Sequence, residues 1–126
     1  MSKIILLGLS GGLGAISRYF IAGLVQNHFN STYPFGTMAV NLLGCLAFGF
    51  IWAFLENKLF LSPSLRLYVL TGFMGAFTTF STYSFETANL IRYSQWFWAV
   101  LNLLGQNVLG ICLIFLGMFL ARLLGS

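Results

Sequence analysis

The chain has 126 residues, of which 59% are hydrophobic and only 6% are charged, and its net charge is +4. A soluble domain carries about 25% charged residues, so this composition excludes a soluble enzyme, a nucleic-acid-binding protein and a disordered chain. The sequence therefore predicts an all-α integral membrane protein. At about 20 residues per transmembrane helix, residues 1–126 have room for four spans in a single domain.

The first two predicted spans, residues 4–25 and 36–55, differ in polar content. The first is rich in glycine, and Gly8 and Gly12 have the four-residue spacing that lets helix backbones approach closely in lipid. Its apolar stretch is longer than the hydrophobic region of a signal peptide, so we expect it to be retained. The second span contains a single strongly polar residue, Asn41.

The third predicted span, residues 66–92, is distinguished by its hydroxyl groups. Six of the ten positions from 78 to 87 are serine or threonine: Thr78, Thr79, Ser81, Thr82, Ser84 and Thr87. A hydroxyl in lipid needs a hydrogen-bond partner, so this density favours a helix that is broken near its centre and lined by a polar pathway. Gly72 and Gly75 precede this hydroxyl-rich stretch. Where these glycines let the helix unwind, the carbonyls from Gly75 to Thr78 would lose their helical donors and would suit a small cation as ligands. A simple kink is the alternative.

The fourth predicted span, residues 96–122, begins at Trp96 and Trp98, which are typical of the membrane interface. Asn102 and Gln106 lie four residues apart on one face of this helix. Four spans place both termini on one side of the membrane. The basic residues are then divided four to two at best, which leaves the orientation poorly specified. They are Lys3, Lys58, Arg66 and Arg122 on one side, and Arg18 and Arg92 on the other.

Two aromatic residues of the third span are candidates for the wall of a pathway. On a helix, Phe80 and Tyr83 lie three residues apart and share a face with Ser84 and Thr87. The positive edge of an aromatic ring can stabilise a bare small anion without trapping it as a lysine or arginine would. The side-chain amide of Asn41 is a donor suited to the same ion. Packing within the helix core is the alternative interpretation of these rings.

The sequence contains no convincing catalytic centre. Glu56 is predicted in a loop, so Glu86 is the only carboxylate expected within the membrane, and it lacks a partner for general acid–base catalysis. One histidine is too few for a catalytic metal site. Cys45 and Cys112 fit apolar packing, and no disulfide is predicted. A proton-coupled exporter is the alternative transport class, because an intramembrane carboxylate is by default a functional candidate.

Motifs in three spans resemble the small bacterial fluoride channels of the Fluc, or CrcB, family. They are Gly14-Ala15 with Arg18-Tyr19 in the first span, Gly36-Thr37 with Val40-Asn41-Leu42 in the second, and Gly72-Phe73-Met74-Gly75 followed by Thr78-Thr79-Phe80-Ser81-Thr82 in the third. The resemblance covers nearly the whole chain, including its length and its four spans. The string in the third span, which continues through Ser84 to Glu86, is highly specific, and the fourth span matches more loosely.

The resemblance implies a dual-topology, antiparallel homodimer in the bacterial inner membrane, with two fluoride pores along the subunit interface. It also implies a structural sodium ion (Na+) at the dimer centre, bound by the backbone carbonyls of Gly75 and Thr78. The implied anion-binding residues are Asn41, Phe80, Ser81, Thr82, Ser84 and Glu86, with Tyr83, Asn102 and Gln106 as further candidates. At Tyr83 the family most often has phenylalanine, so the hydroxyl adds bulk and a hydrogen-bond donor.

The resulting prediction is a passive, fluoride-selective channel that exports cytoplasmic fluoride and so lowers its toxicity. The expected partners are fluoride, a second copy of the chain and the lipid bilayer, with no nucleic acid. Arg18 is expected near a vestibule, where it raises the local anion concentration, or else as an anchor to headgroups. The alternatives are a dual-topology exporter, which would need a carboxylate in the first helix, and a non-transporting assembly subunit.

Overall fold

The computed structural model describes residues 1–56 and 63–125, and all regular elements in these ranges are helices, as predicted. Lys58 lies outside the described residues. The elements are α1 (Ser2–Phe29), α2 (Phe35–Glu56), α3 (Pro63–Arg66), the π-helical segment π1 (Leu67–Met74), α4 (Gly75–Phe77), α5 (Phe80–Arg92), α6 (Trp96–Leu104), the π-helical segment π2 (Gly105–Leu109) and α7 (Gly110–Gly125).

Three helices in the described part of the chain are long and apolar enough to cross a membrane. They are Ser2–Phe29, Phe35–Glu56 and Trp96–Leu124, the last of which comprises α6, π2 and most of α7. Large apolar side chains cover their outer surface; Leu24 and Phe97, for example, are 71% and 72% exposed. Such a surface is suited to lipid rather than water. The chain is therefore a multi-pass membrane protein.

The segment predicted as the third span consists of shorter elements. α3, π1 and α4 follow one another from Pro63 to Phe77, and α5 begins at Phe80. Between them, Thr78 and Thr79 have extended backbone, with φ/ψ angles of −86°/158° and −146°/118°. We refer to these two residues as the extended pair. It separates two helical pieces that are each too short to cross a bilayer alone.

The closest helix crossing is that of α2 with α7. A Cβ atom added at Gly49 would overlap the carbonyl of Ile114, and one added at Gly117 would overlap the carbonyl of Leu46. Small residues on both helices thus allow their backbones to meet, as is common in membrane proteins. The crossing fixes the position of α2 against the fourth predicted span.

α1 makes its close approach at a different glycine from the predicted pair. An added Cβ would have no atom within 4 Å at Gly8 or Gly12 among the described residues, whereas at Gly14 it would overlap the carbonyl of Phe73. Gly14 is buried, and it brings α1 against π1. Within the described residues, α1 thus makes its close approach at Gly14, and Gly8 and Gly12 face open space.

A buried apolar cluster places α2 beside the extended pair. Its members are Val40, Leu70, Met74 and Phe77. Val40 directly precedes Asn41, and Phe77 directly precedes Thr78. Burial of this cluster therefore brings the amide of Asn41 next to the point where α4 ends, because apolar packing fixes the backbones on both sides.

Candidate functional site

The side chain of Asn41 pairs with the backbone of the extended pair. Asn41 Oδ1 accepts a hydrogen bond from Thr79 N at 2.8 Å, and Asn41 Nδ2 donates to Thr79 O at 3.1 Å. In a continuous α-helix, Thr79 N would instead donate to the carbonyl of Gly75. Asn41 thus satisfies both backbone groups of a residue that has left the helix, which stabilises the extended conformation inside the protein.

A chain of hydrogen bonds leads from Asn41 to α5. Asn41 Nδ2 donates to Gln106 Oε1 at 2.6 Å, and Gln106 Nε2 donates to Asn102 Oδ1 at 2.8 Å. Asn102 Nδ2 then donates to Thr87 Oγ1, and the Thr87 hydroxyl donates to the carbonyl of Tyr83, both at 2.8 Å. Asn102 is completely buried. All donors point in the same direction, an arrangement in which successive hydrogen bonds polarise and strengthen one another.

The loop between α1 and α2 contacts this network at Asn102. Tyr33 is 2% exposed, and its hydroxyl donates to Asn102 Oδ1 at 3.4 Å. Burial, and secondarily the charge of Glu86, raise the pKa of the Tyr33 hydroxyl above its usual value. Gln26 holds the loop in place, since its Nε2 donates to Tyr33 O and its Oε1 accepts from Gly36 N.

Glu86 lies in a cavity of about 740 Å³, which we name the Glu86 cavity. Its Oε1 accepts a hydrogen bond from the Thr37 hydroxyl at 2.6 Å, while its Oε2 is buried without a partner among the described residues. Arg18, Thr79 and Thr82 line the same cavity. A buried carboxylate oxygen of this kind needs a donor, a water molecule or a proton.

A second cavity of about 360 Å³, the Phe80 cavity, lies on the other side of Thr79. Asn41, Gln106, Phe80 and Tyr83 are among the residues that line it, and all of the described residues in its lining are uncharged. The rings of Phe80 and Tyr83 are 5.8 Å apart and tilted by 51°. Thr79 borders both cavities, so the extended pair stands between them.

The structure brings together only part of the predicted site. Four predicted residues contribute to the hydrogen-bond network: Asn41, Tyr83, Asn102 and Gln106. Arg18, Thr82 and Glu86 line the Glu86 cavity. Phe80 lines the Phe80 cavity together with Asn41 and Tyr83, although it is 78% exposed, and Ser81 and Ser84 are exposed as well. The predicted common face of α5 is therefore divided in burial, since Tyr83 and Thr87 are buried whereas Phe80 and Ser84 are exposed.

The two backbone carbonyls predicted to bind sodium have lost their regular helical donors. The amide of Thr79 donates to Asn41 instead of Gly75 O, and the amide of Thr82 donates to Thr79 Oγ1 instead of Thr78 O. Carbonyl oxygens are ligands that hard cations prefer. In the described part of the chain, no group of three histidine, cysteine or acidic side chains is placed to hold a metal. The donor set of Gly75 and Thr78 thus fits a small alkali cation.

Sequence reasoning missed three participants in the site. Thr37 precedes Asn41 by four residues, so helical spacing could have identified it as a neighbour on the same face of α2. Asn107 directly follows Gln106, and its Nδ2 donates to the Tyr83 hydroxyl at 2.8 Å, a contact that no sequence pattern indicates. Tyr33 lies in a loop, where no periodic signal indicates that its hydroxyl reaches α6.

The fold and the site define a class of protein: a multi-pass membrane protein with a buried polar network beside an uncharged cavity. Residues 5–118 match the family described as "CrcB-like protein, Camphor Resistance (CrcB)", and the chain belongs to this family. The resemblance found in the sequence is thereby confirmed.

Relatives along nearly the full chain are named "Fluoride-specific ion channel FluC". The chain is 53% identical over 123 residues to the one from Nitratidesulfovibrio vulgaris (strain DSM 19637 / Miyazaki F), covering 98% of this chain and 99% of the relative. It is 47% identical over 122 residues to that of Nitrosococcus oceani, and 40% identical over 122 residues to that of Aquifex aeolicus, each covering 97% of this chain and 98% of the relative. The prediction of a non-enzymatic class of protein is confirmed.

Proposed function

We propose that this protein is a fluoride-selective passive ion channel that lets cytoplasmic fluoride leave the cell. The observation that carries the proposal is the convergence of Asn41, Phe80 and Tyr83 on one uncharged cavity, in a chain whose relatives are named fluoride channels. Fluoride is strongly hydrated, so a pore must replace its water with many weak donors. Hydroxyl groups, amides and ring edges provide them, and an uncharged constriction lets the ion leave again.

In this proposal the channel is an antiparallel homodimer with two pores along the subunit interface. The exposure of Phe80, Ser81 and Ser84 supports it, because hydroxyl groups facing lipid would lack hydrogen-bond partners. A second copy in the opposite orientation would cover this face of α5 and make the contact isologous. The weak charge bias between the two predicted sides is compatible with insertion in both orientations.

The third span, predicted as residues 66–92, crosses the bacterial inner membrane in this proposal as an interrupted helix. The carbonyls of Gly75 and Thr78 would hold a structural sodium ion at the dimer centre, where its charge would offset the carbonyl dipoles of both subunits. Arg18 would raise the anion concentration in the vestibule, which we assign to the Glu86 cavity that it lines. The rings of Phe80 and Tyr83 would form the wall of the narrow part.

Ion release from liposomes containing the purified protein tests the proposal. Valinomycin balances charge, and separate electrodes follow fluoride and chloride. We expect rapid fluoride release without chloride release, and strong loss of fluoride release for Phe80→Leu. Phe97→Leu is the matched control, because Phe97 is similarly exposed but lies on α6, away from the Phe80 cavity. Absence of fluoride release, or equal release of chloride, would refute the proposed function.

A proton-coupled exporter is the second candidate, and one observation favours it. Glu86 is a carboxylate expected within the membrane, and its Oε2 is buried without a partner among the described residues; carboxylates at such positions are candidates for carrying protons. Glu86→Gln separates the two candidates. A carboxylate-coupled exporter would lose all transport, whereas a channel would still release fluoride under a membrane potential without a pH gradient.

A further inference from the structure

The hydroxyl of Tyr83 is turned toward the backbone of α6. It accepts a hydrogen bond from Asn107 Nδ2 at 2.8 Å and donates to the carbonyl of Leu103 at 3.5 Å. Asn107 Nδ2 also donates to Leu103 O at 2.6 Å. The phenol, the amide and the carbonyl therefore form a closed triangle. In this triangle the hydroxyl proton of Tyr83 is directed at a protein oxygen.

The wide turn of π2 makes this arrangement possible. Two neighbouring residues of this turn, Gln106 and Asn107, both reach the site from the same short segment. Gln106 Oε1 accepts from Asn41, whereas Asn107 donates to the Tyr83 hydroxyl. Widened helical turns of this kind are frequently found at functional sites.

The position of the hydroxyl matters because the ring of Tyr83 borders the Phe80 cavity, where its neighbour is the ring of Phe80. A hydroxyl proton pointing into this cavity would form a charge-assisted hydrogen bond with an anion, which is roughly twice as strong as a neutral one. With its proton occupied by Leu103 O, Tyr83 presents only its ring to the cavity.

We propose that Asn107 is a positioning residue for anion permeation: it keeps the Tyr83 hydroxyl out of the pathway, so that a tyrosine acts there as a plain aromatic ring. The proposal rests on the proposed fluoride channel function. Without Asn107, the hydroxyl turns into the Phe80 cavity and binds the anion directly. The ion is then held more tightly and leaves more slowly.

Fluoride efflux at increasing fluoride concentrations tests this role in four proteins: the wild type, Asn107→Ala, Tyr83→Phe and the double variant. Asn107→Ala should lower the maximal rate and the half-saturating concentration together, each by about tenfold, equivalent to about 1.4 kcal/mol. Tyr83→Phe provides the background without a hydroxyl, against which the effect of Asn107→Ala on the maximal rate is compared. The double variant should behave as Tyr83→Phe alone, because no hydroxyl remains to be misplaced. Val108→Ala, an exposed neighbour in π2, is the matched control.

If Asn107→Ala acted only by loosening the packing of the helices, its effect would not depend on the hydroxyl of Tyr83. If Asn107→Ala lowered the rate equally in the tyrosine and phenylalanine backgrounds, or raised the half-saturating concentration, the positioning role would be overturned. An equal loss of maximal efflux rate in Val108→Ala would also overturn the positioning role of Asn107.

A spectroscopic readout separates this inference from the proposed function. The protein is labelled with 3-fluorotyrosine, and Tyr83→Phe identifies the ¹⁹F resonance of residue 83. Asn107→Ala should shift that resonance and Val108→Ala should not. If the wild type passes no fluoride, the proposed function fails, while a shifted resonance still supports the hydroxyl contact. An unshifted resonance overturns the inference whatever the transport result.

Discussion

Replacement of Asn41 by alanine removes three hydrogen bonds that join α2 to two other parts of the chain. Two of them go to the backbone of Thr79 and one goes to Gln106. Side-chain hydrogen bonds between transmembrane helices contribute about 0.6 kcal/mol each on average, so the three together contribute about 2 kcal/mol. This value corresponds to a roughly 30-fold change in the folding equilibrium constant. Fluoride release should also fall, because the extended pair loses its partner.

The unfolding equilibrium in mixed micelles measures the stability effect, at fixed protein concentration because the proposed dimer would contribute to apparent stability. Asn27→Ala is the matched control, since Asn27 is an exposed asparagine near the end of α1. Combining Asn41→Ala with Gln106→Ala should isolate a coupling of about 0.6 kcal/mol. If Asn41→Ala and Asn27→Ala lowered the free energy of unfolding equally, the assignment of Asn41 as the residue that stabilises the extended backbone of Thr79 would be refuted.

Three further predictions use the same unfolding assay. Gly49→Ala should destabilise by about 1–3 kcal/mol through overlap at the α2–α7 crossing, whereas Gly12→Ala, in open space, should change stability by less than about 0.5 kcal/mol. Thr37→Val should lower the free energy of unfolding by about 1–2 kcal/mol, because Glu86 loses its hydrogen-bond donor. Thr37→Ser keeps a hydroxyl at this position and should retain most of the stability. Equal losses of stability in the two variants would contradict the role of Thr37 as the donor to Glu86. The raised pKa of Tyr33 means that its contribution to stability is retained below its usual pKa of 10.0 and decreases as the pH rises beyond it. Tyr33→Phe should therefore flatten the alkaline loss of stability.

The long apolar helices could be predicted well wherever one continuous apolar stretch was sufficient. The predicted ranges 4–25, 36–55 and 96–122 each differ by only a few residues from the helices that meet the length and hydropathy requirements. Hydropathy determines these elements because each must satisfy its backbone internally in lipid. The position of the close approach by α1 could not be predicted, since Gly8, Gly12 and Gly14 differ only in what faces them.

The sequence indicates several polar residues of the candidate site but not how they are connected. Asn41, Asn102 and Gln106 stood out as amides in apolar helices, and the structure links all three. The bond from Asn41 to the backbone of Thr79 has no sequence signal, because any residue carries the same amide and carbonyl. The contribution of Tyr33 depends on how a loop folds back over α6, which helical periodicity does not encode.

The pairing of Asn41 with Thr79 has a consequence for biosynthesis. An isolated peptide of residues 63–92 in lipid would have no partner for the backbone of Thr79, so its lowest-energy state would be a continuous helix. The extended pair is therefore a product of two segments, and it forms only after α2 is beside the later one. The shape of the site is therefore a property of the assembled helices, because the backbone of Thr79 has its partners on α2.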